Sequence, residues 1–268
     1  MAVKNPSSKS TSERPLDVTQ AKAQFQDQGY LVLRSAVPGE VCLRVKKEVE
    51  TALNPLVGPA EFEADVGYPG APSDRDDVGG TTPRRLLHAY ARGGQLQRLA
   101  ENSTVGATLR HLMDGADVML SQCHHNCVMT KHPGFSSATM WHQDIRYWSF
   151  DEPELISAWF SLGPENRQNG ALKVIPGSHR LRLPRGRLDK DLFLRPELAA
   201  NRDLIHSAVH IEIDAGDVLL FHCRLLHAAG KNLTGGVKLS PVFTYHSEKN
   251  LPIPGTRSAG FPSIKLEC

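Results

Sequence analysis

His142 and Asp144 are the residues whose types and spacing most directly suggest chemistry. Residues two apart on a β-strand point to the same face, so an imidazole nitrogen and a carboxylate oxygen could there bind one divalent metal ion. A further histidine would complete a set of two histidines and one carboxylate, which leaves one face of the metal open, as in non-heme Fe(II) oxygenases. The pair alone is weak evidence, because the chain has 12 histidines and chance pairs are common.

The third ligand should be a histidine that lies on or just after a later strand. We choose His227, because it follows the strand predicted at Val218–Phe221, and the hairpin before it could bring it opposite the His142 strand. The other downstream candidates are His179, His206, His210, His222 and His246.

A second group of possible metal ligands lies at residues 123–127, which read Cys-His-His-Asn-Cys. A zinc site built from such a group would need a second Cys or His pair at zinc-finger spacing, and none follows. We therefore expect this segment to be a strand with some polar residues facing a central cavity.

The elements that must position these residues change character along the chain. The first part predicts helices at Gln20–Gln28, after Pro38 and around Leu109, with a strand at 29–33 between the first two. From residue 118 onward, short apolar runs alternate with turn signals, which indicates a closed or sandwiched antiparallel fold. The fold class is therefore mostly β with flanking helices. The predicted strands are Val118–Cys123, Cys127–Thr130, Leu155–Leu162, Gly170–Ile175, Val209–Ile213, Val218–Phe221 and Val237–His246, with Pro241 marking an edge or a bulge.

Composition excludes several classes of function. The 268-residue chain carries a net charge of +2, so it has no broad basic field, and nucleic acid is not an expected partner. No apolar run reaches the roughly 18–20 residues of a membrane span, and residues 1–13 lack the apolar stretch of a secretory signal. The five cysteines are an odd number, so we expect reduced thiols and a cytoplasmic location. We expect a disordered arm at 1–15, a single domain at 16–268, and a monomer or weak homodimer.

The segment 55–92 interrupts the regular pattern with many glycines, prolines and aspartates. A loop of this length inside a compact domain is usually functional or disordered. We interpret residues 55–83 as a mobile lid that selects the substrate. The basic run Arg84–Arg92 is either a solvated helix edge or a substrate-facing segment, and the basic stretch Arg180–Asn201 is a second candidate to line the mouth of the site.

A series of short motifs, in this order, resembles the phytanoyl-CoA dioxygenase family of Fe(II)/2-oxoglutarate oxygenases. They are Trp-His-Gln-Asp at 141–144, Ala-Trp-Phe-Ser-Leu at 158–162, Asn-Gly-Ala-Leu at 169–172, Pro-Gly-Ser-His at 176–179, the segment 216–222 and the segment around His227. The likeness covers about residues 20–250. It implies a double-stranded β-helix (a jelly roll of the cupin kind) in which His142, Asp144 and His227 bind Fe(II) at one mouth.

The resemblance also implies a set of residues for the co-substrate, 2-oxoglutarate. The family usually has an arginine for its C5 carboxylate eleven residues past the distal histidine, and that position here is Lys238. Lysine pairs with a carboxylate as a point charge and lacks the two-pronged geometry of arginine. Ser240 would add a hydroxyl on the same face, Trp159 matches a family tryptophan near the co-substrate, and Lys131 lies where the family often has a basic residue.

The resemblance implies hydroxylation of a small organic substrate, with consumption of O2 and release of succinate and CO2. Related halogenases have a small residue in place of Asp144, so that halide can bind the iron. Two alternatives stay open. One is a metal-binding cupin-type enzyme that does not use 2-oxoglutarate, which Lys238 in place of arginine keeps open. The other is a non-catalytic binding protein on the same scaffold.

Overall fold

The helices lie mainly in the first half of the chain. The computed structural model describes residues 18–267, so the arm predicted at 1–15 lies outside the described residues. The first helix ends just before Gly29, whose φ of 78° favours glycine and whose added Cβ would lie 2.4 Å from His179 Nδ1. No helix of residues 18–267 is long and apolar enough to cross a membrane. The α-helices are α1 Val18–Gln28, α2 Gly39–Leu53, α3 Gly94–Ala100, α4 Ser103–Leu112 and α5 Ala199–His206.

The strands form two antiparallel sheets. The large sheet has the order β1-β9-β6-β11-β4-β3-β2, with β12 paired to β4, and the small sheet has the order β5-β10-β7-β8. The prediction of a mostly β fold with flanking helices is therefore confirmed. The strands are β1 Tyr30–Leu33, β2 Ala60–Phe62, β3 Pro83–Leu87, β4 Val118–Lys131, β5 Thr139–His142, β6 Leu155–Phe160, β7 Leu172–Val174, β8 Val209–His210, β9 Val218–His222, β10 His227–Ala229, β11 Lys238–Ser247 and β12 Ile264–Lys265.

Two apolar layers cover the faces of the large sheet. Alternate residues of β11 point to opposite faces. Phe243 and Tyr245 pack with the helices, and the Tyr245 hydroxyl donates to the carbonyl of Ala100 at 2.7 Å. Val242, which points to the opposite face, packs against side chains of the small sheet such as Val174. Because β11 is buried on both faces, it is the central support of the fold.

The strand β4 is one continuous element where the sequence predicted two strands. Its register with β11 shifts, so that Phe243 pairs with Asn126 and Thr244 pairs with Ser121. The four residues between Ser121 and Asn126 therefore form a bulge, which allows polar side chains inside a buried strand. The sequence predicted the two flanking segments, and the bulge joins them.

The basic run after the long loop is a strand, so its interpretation as a helix edge is wrong. Residues Pro83–Leu87 pair with β4 and with β2. The alternation of a strand explains how an arginine is buried here, because Arg84 and Leu86 are both buried on one face while Arg85 points to the other.

Pro241 also differs from the expectation of an edge or a bulge, because β11 is an internal strand. The pairing of β11 with β6 begins only at Val242, so the missing N–H of Pro241 breaks no bond to that neighbour.

Candidate active site

The structure brings His142, Asp144 and His227 together. The strands β5 and β10 pair so that His227 lies directly opposite His142. Asp144 Oδ1 lies 3.5 Å from His142 Nε2 and 3.6 Å from His227 Nε2, and the three ligand atoms lie within 4.8 Å of one another. Two imidazole nitrogens and one carboxylate oxygen are donors that suit Fe(II), so the residues present fit the expected ion.

The way in which Asp144 reaches this cluster differs from the expectation of one continuous strand. The strand β5 ends at His142, and Asp144 begins a 3-10 turn that runs to Tyr147. The turn is held by the amide of Ile145, which donates to the carbonyl of Cys223 at 3.0 Å. Because Cys223 lies shortly before β10, the turn and both histidine strands form one rigid unit.

The two histidines are oriented by their second ring nitrogens. His142 Nδ1 lies 2.8 Å from the carbonyl of Met140, and His227 Nδ1 lies 3.0 Å from the carbonyl of Leu225. A carbonyl only accepts hydrogen bonds, so Nδ1 must carry the proton in each ring. The Nε2 lone pairs are then free to face the centre of the cluster, as in other metal sites.

The protonation states also suit a metal site. Burial raises the pKa of Asp144, but His125 and His227 outweigh that effect and hold its pKa well below the usual value. Burial and the neighbouring His142 lower the pKa of His227 to about 4. The carboxylate is therefore ionised and His227 is neutral near neutral pH, and these are the forms that bind metal ions.

The β4 bulge places His125 beside the cluster. Its Nε2 lies 3.1 Å from Asp144 Oδ2, the oxygen that faces away from the other two histidines. Burial lowers the pKa of His125, but the charge of Asp144 outweighs this and raises it to about 9. The neighbouring His124 instead stacks on Trp148 at 4.8 Å. The segment 123–127 thus faces the cavity through His125, whose link to Asp144 could not be inferred from sequence spacing.

A cavity leads from the cluster into the space between the two sheets. Lys131 and Lys238, which are paired across β4 and β11, line this cavity together with Arg84 and Arg85. Its walls are largely apolar, and they include Met129, Trp159, Leu172, Phe221, Ala228 and Ala229. The cavity thus joins the ligand cluster to buried basic side chains, which suits a small dicarboxylate.

Lys238 is paired with a carboxylate of the protein itself. Its Nζ donates to Glu165 Oε2 at 2.8 Å and to the Ser240 hydroxyl at 3.2 Å. The other oxygen of Glu165 accepts from Ser240 at 2.7 Å and from Trp159 Nε1 at 3.0 Å. Three of the four residues predicted for the co-substrate therefore contact Glu165, which sequence reasoning missed.

Lys131 differs from Lys238 in the partner of its ammonium, which is a backbone carbonyl. Its Nζ donates to the carbonyl of Ser137 at 2.9 Å. Burial, together with the positive charges of Arg84 and Lys238, lowers the pKa of Lys131 to about 7. An incoming carboxylate would therefore find a cation whose charge is incompletely balanced.

A wider, more polar cavity opens on the other side of the cluster. It shares Arg85, His125 and His142 with the inner cavity and also contains Asp144. Its remaining walls come from the long loop, β3 and the turn after β5, and include Tyr68, Arg146, Tyr147 and Trp148. A substrate entering here would reach the open side of the cluster.

Comparison with known proteins agrees with this geometry. The family model for phytanoyl-CoA dioxygenase (PhyH) matches residues 25–240. An ectoine dioxygenase from Sphingopyxis alaskensis is 27% identical over 257 residues, covering 90% of this chain and 79% of that protein. The peroxisomal phytanoyl-CoA dioxygenase of Rattus norvegicus is 26% identical over 255 residues, covering 87% of this chain and 70% of that protein.

Solved structures show the same fold. EctD from S. alaskensis with bound iron superposes with a TM-score of 0.70 at 23% identity, covering 95% of this chain and 85% of that chain. The epimerase SnoN, in complex with Fe3+, alpha-ketoglutarate and nogalamycin RO, has a TM-score of 0.70 at 19% identity, covering 90% of this chain and 88% of that chain. The predicted jelly roll is confirmed, and the chain belongs to the phytanoyl-CoA dioxygenase family of Fe(II)/2-oxoglutarate oxygenases.

Proposed function

We propose that this protein is an Fe(II)- and 2-oxoglutarate-dependent dioxygenase that hydroxylates a small organic substrate and releases succinate and CO2. The convergence of His142 Nε2, Asp144 Oδ1 and His227 Nε2 within 4.8 Å carries the proposal. Family membership supports the use of 2-oxoglutarate as co-substrate. The relatives are named for substrates as different as ectoine and phytanoyl-CoA. The described cysteines are free thiols, which supports a reducing compartment such as the cytoplasm.

His142, Asp144 and His227 would hold the iron, which when bound supplies the activation of O2 for substrate oxidation. The backbone carbonyls behind the two histidines keep their Nε2 atoms aimed at the ion. Asp144 occupies the ligand position that halogenase relatives leave to halide, so the site favours hydroxylation. The apolar walls of the inner cavity exclude water from the reacting groups.

The far end of the inner cavity would hold the C5 carboxylate of 2-oxoglutarate. Lys131 and Lys238 supply the positive charge there, and Trp159 forms part of the wall. Ser240 contributes through Lys238, whose ammonium donates to its hydroxyl. The outer cavity would then receive the primary substrate, with the loop at 55–83 above it.

Metal and co-substrate assays test this proposal directly. Replacing His142 or His227 with alanine should abolish stoichiometric Fe(II) binding under anaerobic conditions, because two ligands cannot hold the ion tightly. His206→Ala, at an exposed position of α5, is the matched control and should bind iron normally. The iron-loaded wild type should convert 2-oxoglutarate to succinate, slowly when no substrate is present.

Three results would contradict the proposal. Full retention of iron by both histidine variants would place the metal elsewhere. An iron-loaded protein that releases no succinate from 2-oxoglutarate would favour the cupin-type enzyme, and a protein that binds no iron would favour the binding protein.

A further inference from the structure

The hydrogen bonds around Lys238 form a closed ring. The ammonium donates to Glu165 and to Ser240, and Ser240 in turn donates to Glu165. A lysine ammonium has three N–H donors, so the ring uses two and leaves one. Lys238 and Trp159 line the inner cavity, so the third N–H is the one available to a ligand there.

The backbone of Glu165 is held in place by two further hydrogen bonds. Its amide donates to the carbonyl of Ile213 at 2.7 Å, and the amide of Ile213 donates back at 3.1 Å. The residue is 3% exposed. The described lining of the inner cavity includes neither Glu165 nor Ser240. A ligand in the cavity would therefore meet Lys238 first, with Glu165 on its far side.

We propose that Glu165 is a positioning residue that orients the Lys238 ammonium toward the C5 carboxylate of the co-substrate. This inference rests on the proposed use of 2-oxoglutarate. An arginine presents a rigid planar fork, whereas a lysine ammonium sits on a flexible four-carbon stem. Glu165 and Ser240 accept hydrogen bonds from the ammonium and so hold the lysine side chain in one orientation. This compensates for the lysine at a position where arginine is usual.

The arrangement of charges supports a positioning role for Glu165 over its displacement by the C5 carboxylate. With the co-substrate bound, Glu165, Lys238, the C5 carboxylate and Lys131 form a series of alternating sign. If the C5 carboxylate instead displaced Glu165, the glutamate would be a buried carboxylate without its three donors, and an unpaired buried charge is strongly destabilising. The indole N–H of Trp159 would also need a new partner.

The test measures 2-oxoglutarate binding to the anaerobic Fe(II)-loaded protein. Glu165→Ala and Glu165→Gln should each weaken 2-oxoglutarate binding, by about ten- to hundredfold for alanine, because a charge-assisted hydrogen bond becomes misdirected. Glutamine keeps an acceptor for Ser240 and Trp159, so its effect should be smaller. Iron binding should be unchanged in both, and the exposed Glu212→Gln is the matched control.

A rescue variant separates positioning from a purely structural role. The double variant Glu165→Ala/Lys238→Arg should recover 2-oxoglutarate affinity to within about threefold of wild type, because arginine carries its own rigid fork. Thermal unfolding of each variant shows whether it is folded. If the Glu165→Ala variant does not fold, the 2-oxoglutarate affinity of Glu165→Gln is compared with that of the wild type instead.

Each other result overturns the inference. Unchanged affinity in both single variants would make Glu165 a structural residue. Tighter binding would mean that Glu165 competes with the co-substrate. Loss of affinity without rescue by arginine would mean that Glu165 supports the pocket and not the ammonium. A wild type that does not bind 2-oxoglutarate would instead refute the proposed function.

Discussion

We expect Lys131 to make 2-oxoglutarate binding sensitive to pH. Burial and the charges of Arg84 and Lys238 lower its pKa to about 7, against the opposing effect of Glu63 and Glu165. Below that pH the ammonium can pair with the C5 carboxylate, whereas above it the amine is neutral and the pairing is lost. We expect the apparent Kd for 2-oxoglutarate to rise between pH 6.5 and 8.5, approaching about tenfold per unit above the pKa.

Titration of 2-oxoglutarate into the Fe(II)-loaded protein across this range measures the effect. Lys131→Arg is the matched variant, because arginine stays charged throughout, and it should give a flat profile. A flat profile in the wild type would show that Lys131 does not bind the co-substrate. A slope that persists in the arginine variant would assign the titration to another group.

Sequence spacing and the family resemblance together predicted the candidate metal ligands and Lys238. His142 and Asp144 are two residues apart, and Lys238 lies at a fixed count from His227. Glu165 had no such signal, because 73 residues separate it from Lys238. A buried ion pair between distant segments is set by the packing of the sheets, which residue spacing does not reveal.

At the level of elements, strands with strong alternation or apolar runs were predicted closely. The strand at Val218–Phe221 extends by one residue to His222, and the strand at Val237–His246 shifts by one residue to Lys238–Ser247. The Arg84 segment was missed because its buried arginine looked like a solvated position. Arg84 is buried because Glu63 Oε2 lies 3.3 Å from its guanidinium, and that partner belongs to the long loop.

The loop at 55–83 lies over the entrance to the outer cavity. Its Tyr68 packs edge-on to Phe193 at 5.7 Å and beneath the guanidinium of Arg84 at 4.7 Å. Phe193 in turn packs against His142. We expect this loop to be cut readily by protease in the apo protein and protected once iron, 2-oxoglutarate and substrate are bound, because lids close over reactive centres.

A shortened loop provides the complementary experiment. It should reduce substrate hydroxylation and leave slow turnover of 2-oxoglutarate intact, since the candidate metal ligands lie on the small sheet and on the turn after β5. If the shortened enzyme hydroxylates normally, the loop is only a connector. Selectivity would then have to be sought in Arg180–Asn201.

At the scale of the whole molecule, a metal held by His142, Asp144 and His227 would link β5, β10 and the turn that follows β5. An ion that binds only the folded state stabilises it by about 2.7 kcal/mol at a concentration of 100 Kd. For a domain of this size, that corresponds to a rise in Tm of roughly 5–10 °C. Calorimetry with and without Fe(II) under anaerobic conditions measures the shift.

His227→Ala should abolish this stabilisation, since it removes the ligand that β10 contributes. His206→Ala should retain it. An equal shift in wild type and His227→Ala would indicate that iron stabilises the protein through another site.

The position of β1 at the edge of the large sheet limits how far the chain can be shortened from its N-terminal side. This strand pairs along β9 through four residues, from Tyr30 opposite Phe221 to Leu33 opposite Val218, and it forms the outer border of the large sheet. Removing it would leave the backbone donors and acceptors of an apolar strand open, which is a template for pairing with another molecule. A trimmed protein that starts after Leu33 would therefore tend to self-associate through β9, which ends five residues before the candidate metal ligand His227.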